Sequence, residues 1–155
     1  MPRPLFIALA VFAASCGAGA AGPISDAAIL PASQAKSLTS QCSRGVPAKG
    51  EGTWQPSWAD ITAMESALRV ALKAEPRAPE RKGLKAPEGW RRQYVGVVRG
   101  GRRFIYGNYL PPDDWMGDRW RSQAVIVCDG GAAFFGAEYD VAGRRISHLA
   151  FNGGF

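Results

Sequence analysis

Residues 123–155 read QAVIVCDGGAAFFGAEYDVAGRRISHLAFNGGF, and this run decides the fold. Apolar β-formers fill residues 124–127, 134–139 and 146–151. Asp129-Gly130-Gly131 separates the first two runs, and the stretch from Asp140 to Gly143 separates the second and third. Apolar runs joined by short glycine-bearing segments mark β-hairpins, so three in series predict a meander.

Moving upstream, Tyr94-Val95-Gly96-Val97-Val98 and Phe104-Ile105-Tyr106 flank Arg99-Gly100-Gly101-Arg102. Paired glycines supply the positive backbone angles of a tight turn, which predicts another hairpin. Gly96, Gly107 and Gly136 interrupt strands and predict bulges or bends. Residues 111–122 form a long connection between the two strand groups, of a length that is often functional or self-packed.

A helix is written further back. Ser57 stands three residues before Asp60, close to a capping box. Trp58, Ile61, Met64, Leu68, Ala71 and Leu72 follow at helical spacing, with Asp60, Glu65, Arg69 and Lys73 read as lying off that stripe. Pro76 ends the helix. Residues 75–90, with three prolines and Arg77, Arg81, Lys82 and Lys85, read as a solvated crossover or a basic recognition loop.

The expected fold is therefore α+β: one N-terminal amphipathic helix packed on a curled antiparallel sheet of about five strands. In element order this resembles the cystatin-like and nuclear-transport-factor-like folds, an analogy of architecture that implies no function. The cystatin inhibitory pattern Gln-x-Val-x-Gly is missing, because in Gln93-Tyr94-Val95-Gly96 the glycine falls one place early.

The N-terminal residues add an export signal. Met1-Pro2-Arg3 is cationic, residues 5–14 are apolar, and Ser15 to Ala21 are small, the pattern of a secretory signal peptide too short to span a bilayer. Two processing routes stay open: Ala18-Gly19-Ala20 suits an ordinary signal peptidase, and Ala13-Ala14-Ser15-Cys16 resembles a bacterial lipobox that would lipidate Cys16. The expected organisation is a cleaved signal over 1–21, an irregular lead-in over 22–49 with a short helix near Ser33 to Ser40, and one α+β domain over 50–155. Cys42 and Cys128 form a natural disulfide pair in an oxidising compartment.

Catalytic signatures are sparse. The chain has 155 residues, a formal charge of +6 and one histidine, His148. No nucleophile elbow, phosphate loop or dinucleotide motif occurs. Asp113, Asp114 and Asp118 do not follow a calcium-loop spacing, and neither a metal nor a cofactor is expected. If the sheet encloses a cavity, Glu138 and His148 are the acid/base candidates, with Tyr106 beside them. Trp115, Arg119, Trp120 and Arg121 interleave aromatic and guanidinium groups, as binding hot spots do; tryptophans folded back onto the core are the alternative.

The function read from sequence is an exported, non-catalytic binding or envelope-associated protein. Its partner would be a protein, an acidic glycan or an anionic membrane surface rather than nucleic acid. The alternatives are a small cavity enzyme using Glu138 and His148, and a structural lipoprotein anchored through Cys16.

Overall fold

The computed structural model describes residues 22–112 and 117–154. The signal segment, Cys16, Asp113, Asp114 and Trp115 lie outside the described residues. The fold is mixed α/β, with two α-helices and an open sheet of six strands. In chain order the elements are β1 (Ala27–Ile29), α1 (Ala35–Leu38), β2 (Gly52–Trp54), α2 (Trp58–Lys73), a ribbon of β3 (Glu80–Arg81) and β4 (Leu84–Lys85), then β5 (Arg91–Arg99), β6 (Arg102–Leu110), β7 (Phe135–Asp140) and β8 (Arg145–Phe151).

The two long hairpins, β5–β6 and β7–β8, join through an antiparallel β6–β7 ladder. The outer edge of β5 carries two short strands: β1 lies parallel to its first half and β2 antiparallel to its second. The sheet is thus mixed rather than purely antiparallel.

Helix α2 begins as its sequence dictates. Ser57 Oγ accepts from the Asp60 amide at 3.2 Å, and an Asp60 carboxylate oxygen accepts from the Ser57 amide at 2.8 Å, a reciprocal cap. Ile61, Met64, Leu68 and Leu72 are buried against one face of the sheet. Strand alternation supplies the facing side chains: Tyr94, Ile105, Tyr109, Phe135, Ala137 and Tyr139 point to α2, and Tyr109 stacks on Phe135 with ring centroids 4.5 Å apart. Val95, Val97, Tyr106 and Leu110 point the other way, into a second core closed by Leu30, Leu38 and Trp120.

Four expectations need correction. The lead-in over 22–49 is not irregular throughout: β1, a 3-10 turn over Ala32–Gln34 and α1 occupy it. Leu30 and Leu38 are 2% and 0% exposed, so this segment roofs the second core. The run 124–127 is not a strand. Its backbone groups are bonded to side-chain amides instead: Gln34 accepts from the Ala124 N–H, Gln93 from the Val125 N–H, and Asn108 and Gln41 donate to the Val125 carbonyl. Asp129-Gly130-Gly131 leads into a 3-10 turn, Gly131–Ala133, so the C-terminal run holds one hairpin, β7–β8, rather than two.

The third correction concerns glycine. The irregularity in the β7–β8 ladder falls between Glu138 and Tyr139, with Ser147 as the extra residue on β8, and not at an interrupting glycine. Gly96 and Gly136 are instead sites of close approach: a Cβ would strike the Trp54 carbonyl at the first and the Tyr106 hydroxyl at the second. The bulge also parts residues that simple alternation puts together. Ile146 pairs with Tyr139 on the helix side, whereas His148 pairs with Glu138 on the opposite face.

The crossover is the fourth. Residues 75–90 fold in part into the β3–β4 ribbon, turned by Lys82 and Gly83 at φ 51° and 76°, the positive pair of a two-residue hairpin.

Candidate functional site

The sheet has two ends, and basic side chains gather at the one where β5 begins. Asp26, Arg81, Lys82, Arg91 and Pro112 line one cleft of about 290 Å³ there. Arg81 Nη1 donates to the Pro112 carbonyl at 3.4 Å, tying the ribbon to the end of β6. A 3-10 turn over Arg119–Arg121 packs close to β1 and completes the cluster. Among the described residues, Arg81, Lys82, Arg91, Arg119 and Arg121 stand at this end with the carboxylates Asp26, Glu80, Glu88 and Asp118. Glu88 is shared with Arg69 and Arg92, and Asp118 reaches Arg121 only at 3.9 Å.

Trp120 organises this end from within. It is 2% exposed, so its indole belongs to the core. The Arg91 and Arg121 guanidinium groups lie 5.5 and 4.4 Å from its ring centroid. A buried aromatic face thus fixes two cations at the surface. Arg119 and Arg121 are exposed. Leu84, on the ribbon, is 49% exposed and lies against the space left by Gly89.

Glu138 and His148 stand directly across the β7–β8 ladder, on one face. Glu138 Oε1 accepts from Arg99 at 2.7 Å and from Ser147 at 2.9 Å, with its side chain 4% exposed. His148 Nε2 lies 2.9 Å from the Gly45 carbonyl. Neither residue lines either of the two larger described clefts. Both are held by partners inside the fold.

Tyr106, named beside them, hydrogen-bonds elsewhere. Its hydroxyl accepts from Arg44 Nε at 3.2 Å, and Arg44 also donates to Asn108 and Asn152 at 2.6 and 2.8 Å. This guanidinium is half-buried among neutral acceptors. Burial raises the Tyr106 pKa, against the lowering influence of Arg44. Two residues away, Cys42 bonds to Cys128 with Cα atoms 5.3 Å apart. Such a pair fits an exported protein.

Sequence reading missed the most buried charge among the described residues. Glu65 is 1% exposed; its Oε1 accepts from the Tyr94 and Tyr109 hydroxyls, each at 2.7 Å, and its Oε2 lies 3.4 Å from Arg92 Nη1. Burial and then the Glu65 carboxylate hold both phenols well above their ordinary pKa. The signal was present: Glu65 stands four residues after Ile61 and three before Leu68, on the apolar stripe. No described cleft opens onto this cluster through Glu65.

Among the described residues no group of histidine, cysteine or carboxylate side chains is arranged to hold a metal, and no helix is long and apolar enough to cross a membrane. No protein-family model matches the chain, and no curated protein or solved structure matches it either.

Proposed function

We propose that the chain is an exported, envelope-associated binding protein without catalytic activity, which rests on an anionic membrane surface by its basic end. One observation carries this reading. β1 runs parallel to β5, so residues preceding Ala27 join the fold at the end that holds Arg81, Lys82, Arg91, Arg119 and Arg121. A lipid on Cys16 would hold that end nearest a bilayer; after a simple signal cut the basic side chains alone would orient it. The energetics are complementary. One acyl chain gives only marginal membrane binding, and a polybasic patch is the usual second signal. Each lysine or arginine close to an anionic leaflet contributes about 1 kcal/mol. Leu84 adds an exposed apolar side chain on the same ribbon.

Glu138 and His148 are left out of the proposed function because Arg99, Ser147 and Gly45 already engage their polar atoms. In element order the run from α2 to β8 resembles both the cystatin-like and the nuclear-transport-factor-like folds, a likeness that brings no partner with it.

Vesicle co-sedimentation tests the proposal. Binding to phosphatidylglycerol vesicles, absent on phosphatidylcholine and weakened by salt, is expected. Replacing Lys82, Arg119 and Arg121 together by Gln should abolish it while leaving the thermal midpoint in place. Unchanged binding by that variant, or capture by an acidic glycan or protein but not by vesicles, defeats the membrane reading. Mass spectrometry of the mature N-terminus decides between lipidated Cys16 and a simple cut.

A further inference from the structure

The largest described cleft, about 550 Å³, lies on the second face of the sheet, between α1 and the loop that leads into β2. It is separate from the basic end: β2 pairs with the far half of β5, at Gly96, Val97 and Val98. Its volume falls within the range of small-molecule sites. The floor is apolar, built from Ala35 and Val97, each nearly closed to solvent, and Val46, which is 37% exposed. Thr39 on the wall spends its hydroxyl on the Ala35 carbonyl, at 2.8 Å, and so turns no unpaired donor toward the cleft.

The charges at the opening are unequal. Lys36, on α1, and Lys49, on the loop before β2, both line the cleft and both are exposed. The one carboxylate among the lining residues, Glu51, accepts from the Gly101 amide at 3.1 Å and is thereby directed to the β5–β6 turn. An occupant would meet an apolar floor and two ammonium groups at the rim. From this charge and shape we infer that the cleft binds a single-chain anionic amphiphile, its acyl chain over Val97 and Val46 and its carboxylate or phosphate between Lys36 and Lys49. The site is independent of the membrane-facing end, and either can fail without the other.

Titration calorimetry of the purified protein with dodecanoate, below its micelle-forming concentration, tests the inference. One dodecanoate per chain is expected, with dodecyltrimethylammonium failing to bind. The Lys36→Gln/Lys49→Gln pair should weaken dodecanoate by about tenfold or more, the scale of lost charge-assisted hydrogen bonds. Ser40→Trp, which places a ring in the cleft from an exposed position, should block uptake. Equal affinity for the cationic amphiphile, or binding that neither variant alters, overturns the proposal. So does a lipid-free dimer that dissociates in the double variant, since that would give the cleft to a second copy of the chain. Both variants are at exposed positions, and an unchanged thermal midpoint confirms that each is folded.

Discussion

Glu65 and Arg92 form an ion pair closed to water on every side, with Oε2 and Nη1 3.4 Å apart and side chains 1% and 5% exposed. The contact joins α2 to β5 through charge in a layer otherwise made of apolar and tyrosyl groups. The pair is also imperfectly satisfied: Glu65 Oε2 and Arg92 Nε have no hydrogen-bond partner. Removing one member should therefore cost more than removing both. Glu65→Ala leaves the buried Arg92 guanidinium with only the half-exposed Glu88, 3.6 Å away, as a counter-charge and should cost about 3–5 kcal/mol. Glu65→Met with Arg92→Met should cost less than either single change. Urea denaturation of the three variants checks the order.

The tyrosines around Glu65 make a prediction at alkaline pH. The pKa values of Tyr94 and Tyr109 are raised by burial and by Glu65, and that of Tyr106 by burial. A group with a raised folded-state pKa supports stability below its unfolded value, and that support is lost as pH climbs through the folded value. Stability should accordingly fall above about pH 10, where unfolded tyrosine ionises. In phenolate absorbance, these three of the four tyrosines should titrate late, together with unfolding. Ordinary titration of Tyr94, Tyr106 and Tyr109 in the folded protein would show that these phenols are reachable.

Asp140 sets an opposite, acid-side limit. Its pKa is lowered first by the Gly143 amide hydrogen bond and then by Arg102. A depressed carboxylate lends stability above its unfolded value and loses it as pH falls through the lower, folded one. Asp140→Asn should hence be less stable than wild type at pH 7. The gap should narrow below about pH 4. Thermal midpoints measured across that range will show a constant gap if the charge is irrelevant.

Gln93 holds the segment that replaced the predicted strand. Its amide donates to the Trp120 and Gln123 carbonyls and accepts from the Val125 N–H. Gln93→Ala leaves those buried groups unpaired, at about 1–3 kcal/mol. It should speed hydrogen exchange at Val125 ahead of the β5–β6 ladder. Uniform acceleration everywhere would mean that the segment opens only with the whole fold.

Reduction tests the neighbouring crosslink. Cys42 and Cys128 are 86 residues apart in sequence. For a loop of that length the chain-entropy estimate is about 4.6 kcal/mol, an upper figure. Cys42→Ser/Cys128→Ser should lower stability toward that value in chemical denaturation. A loss of only a few tenths would assign the pinning to the Arg44 hydrogen bonds instead.

Much of this architecture is legible in the sequence because its signals are local. The Ser57–Asp60 cap, the α2 stripe and the Gly100-Gly101 turn each depend on neighbours a few residues away. What escaped is non-local. β1 is three residues long and owes its existence to the β5 edge, so no periodicity announces it. Residues 124–127 have strand composition, but distant amides from Gln34, Gln41, Gln93 and Asn108 take their backbone groups. Trp120 reads as an interface residue because composition cannot say which way an indole faces. Glu65 was within reach, since its spacing from Ile61 and Leu68 is helical, and only its charge argued it off the stripe.

The extra residue at Ser147 lets one strand serve two masters. Upstream of it Ile146 faces the α2 side; downstream, His148 and Ala150 face the other, and Leu149 returns to the first. Were Ser147 paired like its neighbours, Ile146 and His148 would share a face, and Ile146 would leave its core or His148 would enter it. Deleting Ser147 alone would thus leave the pairs Tyr139–Ile146 and Glu138–His148 in register, with every remaining side chain on its present wall.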